Sequence, residues 1–107
     1  MMKKGINVIG AIEERLHGVL PSDGQVLLFG SRARGDHRAD SDWDILILVN
    51  KDKLDSSDYD TYSYPLFELG WELDEAINPV LYTQHDWERG HFTLFHKNVE
   101  HDAIRLL

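Results

Sequence analysis

The chain has no cysteine, which removes disulfide frameworks, zinc–thiolate centres and cysteine nucleophiles at once. It also lacks any run near the roughly 18 apolar residues that a membrane-spanning helix needs. The start, MMKKGINVIGAIEERL, is basic at first but is soon interrupted by Glu13, Glu14 and Arg15, so it cannot serve as the apolar region of a signal peptide. The cytoplasm is therefore the expected compartment, with no membrane partner. Basic residues are scarce as well. Eleven Lys and Arg against nineteen Asp and Glu leave a formal net charge of −8, the wrong sign for gripping a phosphate backbone over a wide face, so nucleic acid is not expected as a main partner. There is no repeat, low-complexity tract or linker. The 107 residues, 42% hydrophobic and 28% charged, suit one domain over residues 1–107 with one hydrophobic core.

Ile6, Ile9, Ile12, Leu16 and Val19 recur at spacings of three and four, which predicts an amphipathic helix over residues 6–19. After the turn cluster Pro21, Ser22, Asp23 and Gly24, the apolar run Gln25–Phe29 (QVLLF) reads as a buried strand. Trp43–Val49 (WDILILV) is branched and continuous, as a central strand covered on both faces would be. Residues 51–60 read as a charged, Ser-rich connection. Leu66, Leu69 and Leu73 then follow at helical spacing, with Phe67 and Trp71 beside them, in a helix ending near Ala76. Pro65 either opens or kinks that helix. Residues 77–82 form a third strand, placed at an edge by Pro79. Thr83 caps a helix over residues 84–88, with Asp86 at the capping-box position. Phe92, Phe95 and Val99 share one face of a last helix running to about His101, and the final AIRLL finishes as a strand. This order predicts an α+β fold: a mixed β-sheet with helices packed against it.

The chemistry lies in residues 29–44. A buried strand feeds Gly30 and Ser31, and ten residues later a second strand opens with Asp42, Trp43 and Asp44. Side chains alternate along a strand, so Asp42 and Asp44 share a face while Trp43 takes the other. Neighbouring carboxylates repel unless a cation sits between them, and Mg²⁺ does this while keeping waters and phosphates in its shell. Gly30 lets backbone approach a ligand closely, and Ser31 offers a hydroxyl and an amide where a helix would begin. Arg32 and Arg34 add guanidinium forks suited to phosphate oxygens. A triphosphate with Mg²⁺ fits such a site, for displacement at phosphorus.

The stretch GSRARGDHRADSDWD resembles the GS…DxD signature of the polymerase-β-like nucleotidyltransferase superfamily, and the chain length is similar to that of its minimal branch, the MNT proteins. The resemblance implies a nucleotidyltransferase fold, with Gly30 and Ser31 holding nucleotide phosphates and Asp42 and Asp44 as catalytic ligands of Mg²⁺. It also implies ATP as the nucleotide and a small all-helical HEPN protein as partner. In that branch such pairs often act as toxin and antitoxin, and some members move AMP from ATP to a tyrosine of the partner. Active members usually carry a third carboxylate on the strand after the long helix, where this chain has Asn78. An amide ligates a metal through its oxygen but takes no proton. The alternative is therefore a catalytically weakened module of the same fold that neutralises its partner by binding. Glu72, Asp74 or Glu75 could substitute, although acids at a helix end are more often simply solvated.

Competing readings fare worse. Asp40, Asp42 and Asp44 fall at the first, third and fifth positions of a calcium loop, but its sixth position is Ile45 rather than Gly and its twelfth is Lys51 rather than Glu. Arg32 and Arg34 could instead be ordinary surface charges pairing with Asp36 or Asp40, Arg34 more readily than Arg32. His91, His96 and His101 are spaced by five, so each turns about 140° from the last and they do not converge on a metal. Among the aromatics, Phe67 is expected in the core, while Tyr59, Tyr62 and Tyr64 are candidates for a partner-facing surface.

Overall fold

In the computed structural model, residues 7–107 are described; Ile6, the expected first residue of the opening helix, lies outside them. Asn7 caps helix α1 (Val8–His17) by accepting a hydrogen bond from the Gly10 N–H. The helix turns Val8, Ile12 and Leu16 inward. Ile12 and Leu16 are fully buried, and each contributes roughly 1.5–3 kcal/mol through burial. Val19 lies past the end of α1 and is exposed.

Strands β1 (Gln25–Phe29) and β2 (Trp43–Val49) have the bounds expected from sequence, with the single helical turn α2 (Ser31–Arg34) after β1. The expected connection at residues 51–60 is helical in its second half. Asp55 accepts hydrogen bonds from Ser57 N and Asp58 N, the Asp58 carboxylate answers the Asp55 N–H, and α3 (Ser56–Asp58) starts there. A π-helical turn over Tyr59–Ser63 leads into α4 (Tyr64–Leu73). The Tyr64 N–H bonds Tyr59 O, five residues back, so the wider turn comes just before Pro65, which has no N–H to give. Pro65 thus opens α4, which ends at Leu73 on the left-handed Asp74 rather than near Ala76. Strand β3 (Ile77–Thr83) follows, and Thr83 Oγ1 accepts from Asp86 N at 3.0 Å to cap α5 (Gln84–Arg89). Helix α6 (Leu94–Asp102) and the short β4 (Ile104–Arg105) complete the order.

The sheet order is β3-β2-β1-β4. β1 pairs antiparallel with β2 and β4, while β2 and β3 run parallel, so the sheet is mixed and Pro79 lies on an edge strand. Apolar material covers both faces. Val26, Leu28, Ile45, Ile47, Val49, Ile77 and Leu81 meet α1 and α4, whereas Phe29, Leu46 and Leu48 meet Trp87 of α5 and Val99 of α6. This two-sided burial explains why WDILILV is apolar at consecutive positions. Two aromatic placements differ from expectation. Phe67 lies on the outer face of α4, exposed like Tyr64 and Trp71, because Leu66 and Leu69 already fill the inward stripe. His96 is buried, stacked on Trp87 with ring centroids 4.3 Å apart. No helix among the described residues is long and apolar enough to cross a membrane.

Candidate active site

Strand register assembles the site. Phe29 pairs with Asp44 across β1 and β2, and Asp44 pairs with Asn78 across β2 and β3. Paired residues share a face, so Phe29, Asp44 and Asn78 form one cross-strand row on the side of α5 and α6. Asp42, two residues before Asp44 and just ahead of the strand, is exposed; Asp44 is half-buried. Immediately after Phe29, Gly30 turns at φ +78°, ψ −160°, a conformation essentially confined to glycine. A Cβ at this position would collide with the Asp44 carboxylate. Gly30 is therefore required twice, for its dihedrals and for the carboxylate seated against its backbone. Its carbonyl accepts from Ala33 N and Arg34 N, which starts α2 and leaves Ser31 in the first turn, where N–H groups lack intrahelical acceptors.

The structure thus seats Asp44 against Gly30, with Ser31 the next residue of the turn and Asp42 in the loop that leads into β2. The two arginines are engaged elsewhere. Arg32 lies over the Trp43 ring at 4.2 Å, and its Nη2 donates to Ala39 O at 3.1 Å and Ser41 O at 3.2 Å. The Trp43 indole, on the face opposite Asp44, donates to Glu75 Oε1 at 2.9 Å, and Arg32 Nη2 lies 3.9 Å from the same oxygen. Arg32, Trp43 and Glu75 together clamp the loop that delivers Asp42. Arg34 donates to Asp102 Oδ2 at 2.9 Å and to Asp36 Oδ2 at 3.2 Å, and these two bonds raise its pKa further above its ordinary value. Pairing with Asp36 was legible from sequence. Asp102 was not, since nothing local links residues sixty-eight apart.

Asn78 Nδ2 donates to Asp44 Oδ1 at 3.0 Å. The amide takes the place of a third acid and hydrogen-bonds the second one. Among the described residues no group of three or more His, Cys, Asp or Glu side chains could hold a metal ion. Glu72 bonds Arg15 at 3.0 Å on the seam between α1 and α4, and Glu75 serves the Trp43 clamp, so neither joins the row. The donor set that remains, the carboxylates of Asp42 and Asp44, has the hard oxygen chemistry that suits one divalent cation completing its shell with water and phosphate oxygens.

Residues 8–104 match the family model of the nucleotidyltransferase domain, and the chain belongs to that family. No curated protein matches it significantly. Among solved structures, it is similar to a toxin–antitoxin complex with AMP-PNP, with 24% identity, a TM-score of 0.65, and 92% of this chain and 72% of that chain covered. Two mutants of the toxin–antitoxin MntA-HpeT are similar too. One has two aspartates two positions apart changed to glutamate (23% identity, TM-score 0.63, 92% and 71% covered), and the other has a tyrosine changed to alanine (24%, 0.62, 92% and 70%). These likenesses establish the nucleotidyltransferase fold, an α+β mixed sheet.

Proposed function

We propose that the protein is a Mg²⁺-dependent nucleotidyltransferase that moves a nucleoside monophosphate, AMP from ATP, to a hydroxyl of a small helical HEPN-type partner, as the antitoxin of a toxin–antitoxin pair in the cytoplasm. The observation that carries this reading is the seating of Asp44 against the Cβ-less Gly30, at the strand pairing of Phe29 with Asp44. Membership of the nucleotidyltransferase family supports the reaction class. The toxin–antitoxin structures of similar fold, one with AMP-PNP, support the setting and the nucleotide.

Asp42 and Asp44 would hold the metal, which supplies polarisation of the phosphates and charge neutralisation when bound. Gly30 seats Asp44 at the start of the turn, and the Ser31 hydroxyl and the turn's backbone N–H groups hydrogen-bond phosphate oxygens. The acceptor oxygen bonds the α-phosphorus, the bond between the α and β phosphates breaks, and pyrophosphate leaves. Asn78 cannot take the acceptor's proton, so that proton passes to a carboxylate of the Asp42 and Asp44 pair or to a basic group of the partner. Arg32 acts by holding the 35–42 loop.

The Asn78–Asp44 hydrogen bond favours a second reading, a weakened module that binds nucleotide or partner without turnover. Incubation with Mg²⁺ and ATP labelled on the α-phosphate, with and without the protein encoded beside this one, distinguishes the two. Label on protein that disappears in the Asp42→Asn/Asp44→Asn double mutant supports transfer. Nucleotide binding without label, together with label gained in Asn78→Asp, supports the weakened module. Absence of both label and nucleotide binding overturns the family-based reading for this chain.

A further inference from the structure

The face of the sheet that carries Phe29 and Asp44 also carries an aromatic edge with no assigned use. The row Phe29–Asp44–Asn78 is followed, two residues along, by Leu27–Leu46–Val80, on the order of 7 Å away along the strands. Leu46 is buried at 1% exposure, but Val80 remains partly open. On the same side, Phe95 of α6 is set edge-to-face against Phe29 at 5.8 Å and against Trp87 at 5.9 Å. Seven residues further on, about two turns along the same side of α6, Asp102 is bonded to Arg34 of α2. That bond pins α6 to the helix that follows Gly30. Phe95 is therefore locked on the site side by its two ring neighbours and yet is 41% exposed, although Phe29 and Trp87 beside it are buried.

We propose that Phe95, beside the Phe29 that leads into Gly30, is the seat for the nucleobase, taken by stacking and favouring a purine for its larger face. This rests on the nucleotide reading above and adds which residue holds the base. An open ring offers contact area but no hydrogen bond to a base edge, so affinity follows ring size rather than the identity of the exocyclic groups.

The test is calorimetric titration with Mg²⁺ plus one of three ligands: a non-hydrolysable ATP analogue, the matching UTP analogue, or inorganic tripolyphosphate, which has no base. The wild-type chain is expected to bind the ATP analogue about tenfold or more tighter than tripolyphosphate, with the UTP analogue between them. Phe95→Leu keeps apolar packing against Phe29 but removes the ring. It is expected to bring the ATP analogue down toward tripolyphosphate while leaving tripolyphosphate affinity unchanged, and Phe95→Trp is expected to retain the difference. Melting curves of the variants show that the fold is intact. If Phe95→Leu leaves the ATP analogue at wild-type affinity, or weakens both ligands by the same factor, the seat is overturned while the phosphate and metal site stands. If the UTP analogue binds as tightly as the ATP analogue, the purine preference is overturned. If the wild type binds none of the three, the nucleotide reading itself fails.

Discussion

Substituting alanine for Gly30 removes two freedoms together, whereas alanine at Gly35 removes only one. Both glycines have positive φ, +78° and +87°. At Gly35, where ψ is 3°, the conformation is ordinary left-handed helix and a Cβ would meet nothing within 4 Å. The cost there is the left-handed penalty alone, about 1–2 kcal/mol. At Gly30 the dihedrals lie in a region open essentially to glycine, about 1–3 kcal/mol for another residue. The new Cβ also meets the Asp44 carboxylate, and moving that group breaks its bond from Asn78, worth about 1 kcal/mol. A loss of about 2–4 kcal/mol follows for Gly30→Ala. At the 4–8 °C per kcal/mol usual for a domain near this size, the melting temperature falls by roughly 10–25 °C. Urea unfolding and calorimetric titration with Mg²⁺ and a non-hydrolysable ATP analogue measure the two effects. Gly30→Ala is expected to lose both stability and nucleotide binding, and Gly35→Ala a smaller share of stability only. A folded Gly30→Ala that binds as the wild type does, or a Gly35→Ala that loses binding equally, would refute the seating of Asp44 on Gly30.

Two further perturbations address the supports around the site. Arg32→Lys keeps the positive charge but loses the fork on Ala39 O and Ser41 O and the guanidinium plane over Trp43. It is expected to destabilise by about 1–2 kcal/mol, to open the 35–42 loop to limited proteolysis, and to weaken metal–nucleotide binding several-fold; unchanged protease sensitivity would return Arg32 to a direct phosphate role. Asp102→Asn tests the tie between α6 and α2 through pH. The hydrogen bond from His101, and next that from Arg34, hold the Asp102 carboxyl below its ordinary 3.8. A group with a depressed folded pKa contributes stability above its unfolded value and loses it as pH falls through the folded one. The difference in urea midpoint between wild type and variant should therefore be present above the ordinary carboxylate range and shrink as pH falls below about 4; a difference that persists unchanged in acid contradicts the assignment.

What could be read from the sequence follows from how far apart the interacting residues lie. Strands β1 and β2 were legible to the residue because each is an apolar run between turn residues, and alternation alone placed Asp42 and Asp44 opposite Trp43. The start of α3 was hidden because its signals, Asp55 and Asp58 around two serines, are also the signals of a loop; only the reciprocal capping bonds make them a helix start. Phe67 fitted the leucine stripe by spacing, yet one turn of a helix has room inward for Leu66 and Leu69 and not for a third large side chain. The arginines show the limit most clearly. Their residue type suits phosphate, and their position beside Gly30 and Ser31 invites that role, but a guanidinium goes where carbonyl oxygens, a ring face and carboxylates converge. For Arg32 those groups come from Ala39, Ser41, Trp43 and Glu75, and for Arg34 from Asp36 and the far end of α6. A one-dimensional motif records which groups are available at a turn, whereas the partners that claim them are set by the sheet register. That register also puts Asn78, rather than an acid, against Asp44, so a residue visible in the sequence acquires its partner only from its place in the row.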